Sequence, residues 1–171
     1  MERFVYQNPS EHHTAAPYTD IPEFNEPLGP SIHHVKQAKY AIGEHRDIFV
    51  TERIRACSGI VFRSPDNKTF GLFHASPLPM IDLRDEDYEA LLPFVGGQTI
   101  EIKGSESTPK FYIFNTLKHR LGIELVRTIT ADTLGGDGIN RSLHLAFRPE
   151  EDLILLARNS HEDVRAFPGF L

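Results

Sequence analysis

A single cysteine, Cys57, in 171 residues leaves the chain without an internal disulfide, which suits a reducing compartment or only brief exposure outside one. No apolar run approaches the roughly 18 residues that a membrane-spanning helix needs, and the opening residues, Met1 to Pro9, lack the apolar core of a signal peptide. Basic residues are the minority, with Lys plus Arg 18 against Asp plus Glu 24 and a formal charge of -6, so nothing favours nonspecific nucleic-acid binding. There is no internal repeat. The glycine-rich segment 132–138 has no Walker lysine after it, so it is read as a turn and not as a nucleotide loop. What remains is ordinary for a globular protein, 40% hydrophobic and 25% charged. The length suits one domain that buries about 70% of its unfolded surface, expected to be soluble, monomeric and cytoplasmic.

Residues 1–32 carry Pro9, Pro17, Pro22, Pro27 and Pro30 without strand or helix periodicity, and predict an extended arm strapped by Tyr6, Tyr18 and Phe24. The pairs His12-His13 and His33-His34 are expected to be solvated rather than metal ligands, because neighbours in an extended chain point opposite ways. A domain over residues 33–157 follows. It begins with a strand from Val35 to Ile42, a turn over Gly43 to Asp47 and a returning strand from Ile48 to Thr51. Asp82 or Asp85 caps a short helix over Glu86 to Leu92, and Gln98 to Lys103 alternates as a half-buried strand. The clearest helix starts at Ser107 or Thr108 with Pro109 at its first position, and closes on Gly122 after Lys118, His119 and Arg120. Strands then follow over Ile123 to Thr130, Ile139 to Phe147 and Leu153 to Leu156. Residues 158–171 read as a tail docking through its aromatics. These elements predict an α+β fold, a layered mixed or antiparallel β-sheet with one or two helices.

Chemistry centres on residues 51–74. Ile60 to Phe62 and Phe70 to Phe73 favour strands, and Ser64-Pro65-Asp66-Asn67 between them has Ser and Pro where a type I turn prefers them. A hairpin with Pro65 and Asp66 at its tip sets residues summing to 131 opposite each other, which pairs Cys57 directly with His74. A thiol beside an imidazole is the arrangement of an activated nucleophile and its base. The other reading makes Cys57 a small buried hydrophobe, His74 a core histidine and Thr51 an ordinary strand residue. Arg53 and Arg55 are read as solvated strand-edge charges.

In this order the landmarks resemble the CheD family of chemoreceptor glutamine deamidases, whose fold is shared with toxins of the cytotoxic necrotizing factor type. Thr51, Cys57, Gly71-Leu72-Phe73-His74 and Pro77 follow the family's strand-ending threonine, nucleophile and Gly-x-x-His strand. Gly122-Ile123, Asp132 to Gly136 and Asn140-Arg141-Ser142 are similar to its carboxyl-terminal half. The sequence departs from the family at Arg55-Ala56, where a Gly-Ser precedes the nucleophile, at Gly104-Ser105-Glu106 in place of Gly-Gly-Ala, and at the extra Leu134.

The resemblance implies a cofactor-free, metal-free enzyme acting on an exposed glutamine of a partner protein, a chemoreceptor or the target of an exported bacterial effector. Cys57 is the implied nucleophile, His74 the base and acid, and Thr51 the residue that orients the imidazole. Ser58 and Ser76 are candidate substrate contacts. Two alternatives stand beside it. One is transglutaminase-like or other thioester-forming hydrolase chemistry, and the other a noncatalytic protein-binding domain on the same scaffold.

Overall fold

The computed structural model describes residues 2–4, 29–76, 84–107, 111–130, 142–158 and 164–171. In chain order they form β1 (Glu2–Phe4), β2 (Ile32–His34), β3 (Tyr40–Glu44), β4 (Ile48–Ile54), β5 (Ser58–Arg63) and β6 (Thr69–Ala75). Helix α1 (Asp85–Ala90), β7 (Gln98–Lys103), helix α2 (Phe111–Leu121) and β8 (Glu124–Thr130) come next. β9 (Leu143–Arg148), β10 (Leu153–Arg158) and β11 (Val164–Pro168) complete the order. The arrangement is mixed α+β with mostly antiparallel strands, in two sheets rather than one. The first sheet runs β1-β2-β4-β9-β10-β11 and the second β3-β6-β5-β7-β8.

Three layers result. Alternation along the strands sends Phe49, Ile54, Leu145 and Phe147 of the first sheet against Val61, Phe70, Leu72, Ile100 and Ile102 of the second, filling the space between them. The opposite face of the second sheet, with Ile60, Phe62 and Phe73, packs on Leu91, Phe94, Leu117 and Leu121 from the helical layer. The sheet shared by both cores is therefore buried on both faces, and β7, read as half-buried, has Thr99 and Glu101 buried as well as Ile100 and Ile102. Helix α2 ends as its sequence requires. Gly122 sits at φ 62, and the Gly122 and Ile123 N–H groups bond back to the Lys118 and Leu117 carbonyls. Residues 107–109, assigned to its start, lie partly outside the described residues, as do the glycine-rich loop at 132–138, Asp82, His12-His13 and most of the arm.

Several expectations change. The stretch from Val35 to Ile42 is not one strand: β2 ends at His34, the chain turns through Ala38 at φ 59, and β3 begins at Tyr40 in the other sheet. Successive strands β3 and β4 likewise belong to different sheets, so the turn between them crosses the sandwich. Residues 2–4 of the arm pair with β2. At the other end, residues 164–168 form the edge strand β11 against β10, although Phe167 and Phe170 do pack on the inter-sheet core as expected of a docking segment.

The hairpin of β5 and β6 forms, with a different register. Ser64 N–H bonds to Thr69 O at 2.9 Å, and Asn67, the donor closing the turn on Ser64 O, sits at φ 58. The loop is thus four residues long, Pro65 to Lys68, because a type I turn twists the strands the wrong way for a two-residue connection and needs a left-handed residue to correct it. Paired residues sum to 133, which puts Gly59 opposite His74 and Ser58 opposite Ala75. Cys57 falls just before the paired stretch.

Candidate functional site

His74 and Thr51 reach each other across the sandwich. In β6, Phe70, Leu72 and His74 alternate toward the space between the sheets, and in β4 Phe49 and Thr51 do the same. Thr51 Oγ1 lies 2.7 Å from His74 Nδ1 and 2.6 Å from the Val35 carbonyl oxygen. A carbonyl only accepts, so the single hydroxyl proton goes to Val35 and the threonine oxygen must accept from the ring. His74 is thereby held as the Nδ1–H tautomer, which leaves Nε2 unprotonated with a lone pair that can act as a base. The His74 backbone is pinned on both sides by the β2–β3 connection, through Ala38 N–H to His74 O at 2.8 Å and His74 N–H to Lys39 O at 3.0 Å.

The imidazole is 2% exposed, and its Nε2 makes no hydrogen bond. Burial lowers its pKa from 6.5 to about 4, and no neighbouring charge contributes. At neutral pH the ring is uncharged, so the resting state holds no imidazolium to stabilise a thiolate. The depressed value also sets a pH dependence of folding. Between pH 6.5 and about 4 the unfolded chain binds a proton at His74 that the native protein refuses. Stability from this residue is complete above the upper value and declines toward the lower one, by up to about 3 kcal/mol. Urea midpoints measured from pH 7 to 4 are expected to fall, with a shallower decline in His74→Gln. Asp66, held below the usual carboxylate range by the Ser64 hydroxyl, loses its contribution only at more acidic pH.

Cys57 shares the face of Gly59 and Val61 on β5, the face His74 occupies on β6. The expected direct opposition is corrected to a diagonal one, since the longer hairpin tip moves the register by two residues and an even step preserves the side of the pleat. The thiol–imidazole hydrogen bond is not formed in this structure, because Nε2 has no partner. Cys57 is 6% exposed and belongs to the inter-sheet core. Its backbone is held by the segment after β7: Gly104 N–H bonds to Cys57 O at 3.1 Å and Glu106 N–H to Arg55 O at 3.0 Å. A Cβ on Gly104 would stand 2.2 Å from the Arg55 carbonyl oxygen, so only glycine allows this approach. Gly104, which opens the segment that departs from the family pattern at Ser105 and Glu106, is thus a structural support of the cysteine.

An open cleft of about 480 Å³ lies where the β2–β3 connection passes the end of β4. Thr51 and His74 line it with His34, Lys36, Glu52 and Arg53. At its edge β4 is bulged, with Thr51 opposite Leu145 and Ile54 opposite Leu143, and Arg53 in the bulge has φ 60.

The two serines are placed differently. Ser58 points to the helical side, fully buried, with its hydroxyl donated to Glu101 Oε1 at 2.8 Å and 3.0 Å from Ser107 Oγ. It is not among the residues that line the cleft. Ser76 follows β6 and is buried. Glu101, the buried centre of this network, was not singled out in the sequence, where it looks like the outward residue of an alternating strand. His33, expected to be solvated, is 5% exposed; it stacks on Phe49 at 5.0 Å and lies 3.1 Å from Asp47 Oδ2. His34 beside it is exposed. Among the described residues no group of three metal-ligating side chains forms. Arg55 pairs with Glu106 at 2.8 Å on the surface, and among the described residues no helix is long and apolar enough to cross a membrane. No family model matches the chain, and no curated protein matches it.

Proposed function

We propose that the chain is a CheD-like protein glutamine deamidase, with Cys57 as nucleophile, His74 as base and acid, and Thr51 as the residue that orients the ring. The observation that carries this reading is the proton arrangement at Thr51. Its hydroxyl proton is committed to Val35 O, so His74 keeps its own proton on Nδ1 and offers Nε2 on the face that Cys57 shares.

Because the imidazole starts neutral, proton transfer accompanies attack. As Sγ bonds to the amide carbon, the thiol proton moves to Nε2 and a tetrahedral oxyanion forms. Collapse breaks the carbon–nitrogen bond, Nε2 returns the proton to the departing nitrogen, and ammonia leaves a γ-glutamyl thioester. Water then gives a proton to Nε2 as its oxygen attacks, and the sulfur leaves and takes that proton back. The products are glutamate in the partner protein, ammonia and a regenerated thiol. Incubation with glutamine-containing proteins is expected to release one ammonia per amide-to-acid conversion. Added primary amine should not be incorporated, whereas amine incorporation in its place would assign transglutaminase-like chemistry instead.

A noncatalytic binding domain is the second reading, favoured by the 6% exposure of Cys57 and the unbonded Nε2. Alkylation of the thiol separates the two. Reaction near about pH 6, where neutral His74 is available as a base, supports the enzyme, and a thiol inert up to about pH 9 supports binding alone.

A further inference from the structure

The cleft beside His74 carries a charge pattern opposite to that of the chain. The protein has a formal charge of -6, yet the rim of the cleft holds Lys36 and Arg53 against the single carboxylate of Glu52. All three are exposed. The ion pairs formed among the described residues, His33–Asp47, Arg55–Glu106, Arg84–Glu86 and Arg148–Glu151, involve neither Lys36 nor Arg53. The two arginines near the cysteine are therefore not equivalent, since Arg55 is neutralised by Glu106 while Arg53 faces the cleft.

Arg53 is also fixed in an unusual way. A non-glycine residue at φ 60 costs energy unless its surroundings enforce it. Here the bulge between Thr51 and Ile54 does so, placing the guanidinium two residues from the hydroxyl that orients His74. Lys36 sits on the facing wall, next to Val35, whose carbonyl receives that same hydroxyl proton. Both cations thus flank the Thr51–His74 pair, Lys36 from the β2–β3 connection and Arg53 from β4. Between them His74 lines the cleft; its side chain is 2% exposed and its Nε2 makes no hydrogen bond.

Resting on the deamidase reading, we infer that Arg53 and Lys36 determine specificity by selecting a segment with carboxylates on the residues beside the reacting glutamine. An extended peptide entering the cleft places its target amide at the floor and its flanking side chains at the rim. Carboxylates there meet two unpaired cations, while lysines meet repulsion. Glu52 tempers the field and favours one side over the other. Such rim pairs contribute mainly to encounter and choice of partner rather than to chemistry.

The test uses the full chain as Cys57→Ala, with fluorescent peptides that hold one glutamine between either two glutamates or two lysines, followed by anisotropy. The acidic peptide is expected to bind about tenfold tighter in low salt, with the ratio narrowing toward unity as ionic strength rises. Lys36→Gln combined with Arg53→Asn, the latter tolerant of the left-handed backbone, should abolish the preference, and restoring Lys36 should recover part of it. Equal binding of the two peptides, or a preference unchanged in the double variant, overturns the inference. These readouts need no turnover, so they fail or succeed separately from ammonia release by the unsubstituted protein, which tests the enzymatic reading itself.

Discussion

Cys57→Ala and His74→Ala are each expected to lower glutamine deamidation by at least about 1000-fold, to the uncatalysed background. Their effects should not add, because sulfur and imidazole act on one proton and removing either leaves the other without a task. Alanine at 57 deletes the atom proposed to form the thioester. Alanine at 74 deletes the group proposed as both base for the thiol and acid for the departing ammonia. Thr51→Val separates positioning from chemistry: it keeps the shape of the side chain but removes the acceptor for Nδ1–H, and the ring loses its preference for the productive tautomer. A loss of about 100-fold in kcat with KM little changed is expected, together with altered imidazole nitrogen shifts in NMR. Circular dichroism and urea midpoints near those of the unsubstituted protein establish that the variants are folded. Retained ammonia release in both Cys57→Ala and His74→Ala would falsify the proposed chemistry.

Phe147→Ala should produce the largest loss of stability, about 3–5 kcal/mol. Phe147 is 0% exposed at the centre of the first sheet, between β4 and β10. Its ring lies 6.1 Å from each of Phe49, Phe70 and Phe170, so it joins both sheets and the chain's last residues. Truncation leaves a cavity that backbone paired on both sides cannot collapse to fill. With native stabilities of about 5–15 kcal/mol, this removes a large part of the total, and a thermal midpoint drop of the order of 10 °C is expected. Leu92→Ala is the control. Leu92 is 59% exposed, and its truncation should change stability by less than about 0.5 kcal/mol. Chemical denaturation of both variants distinguishes a packed sandwich from a loosely associated pair of sheets, for which the two losses would be similar.

Local signals carried well where chemistry and period agreed. Helix α2 was legible from its Leu117 and Leu121 stripe and its Gly122 stop, and β9 and β10 were legible as a hairpin around Arg148 to Asp152. The partition into two sheets was not legible. Alternation marks which residues of β3 and β4 face inward, and both Ala41 and Phe49 do, but an inward residue looks the same whichever sheet supplies it. The register of β5 and β6 failed for a narrower reason. Ser64-Pro65 correctly indicates a type I turn, while the loop length depends on the left-handed conformation of Asn67 that such a turn demands. The even size of that error kept Cys57 and His74 on one face. The network at Glu101 and the supporting role of Gly104 were not legible because their partners, Ser58, Ser107 and the carbonyl of Arg55, are distant in sequence or belong to the backbone. The Thr51–His74 contact joins residues on different sheets, so strand arithmetic alone does not reach it, and only the likeness to a known family suggested it.

The row containing Gly59 and His74 does not depend on the hairpin tip alone. β7 pins β5 along the other edge, from Ser58 with Lys103 to Arg63 with Gln98, and β3 pins β6 from Tyr40 with Phe73 to Glu44 with Thr69. The tip is therefore a natural graft point. A reporter peptide or an affinity handle spliced between Pro65 and Lys68, all of them exposed, would ride on strands whose alignment is already guaranteed by their outer neighbours.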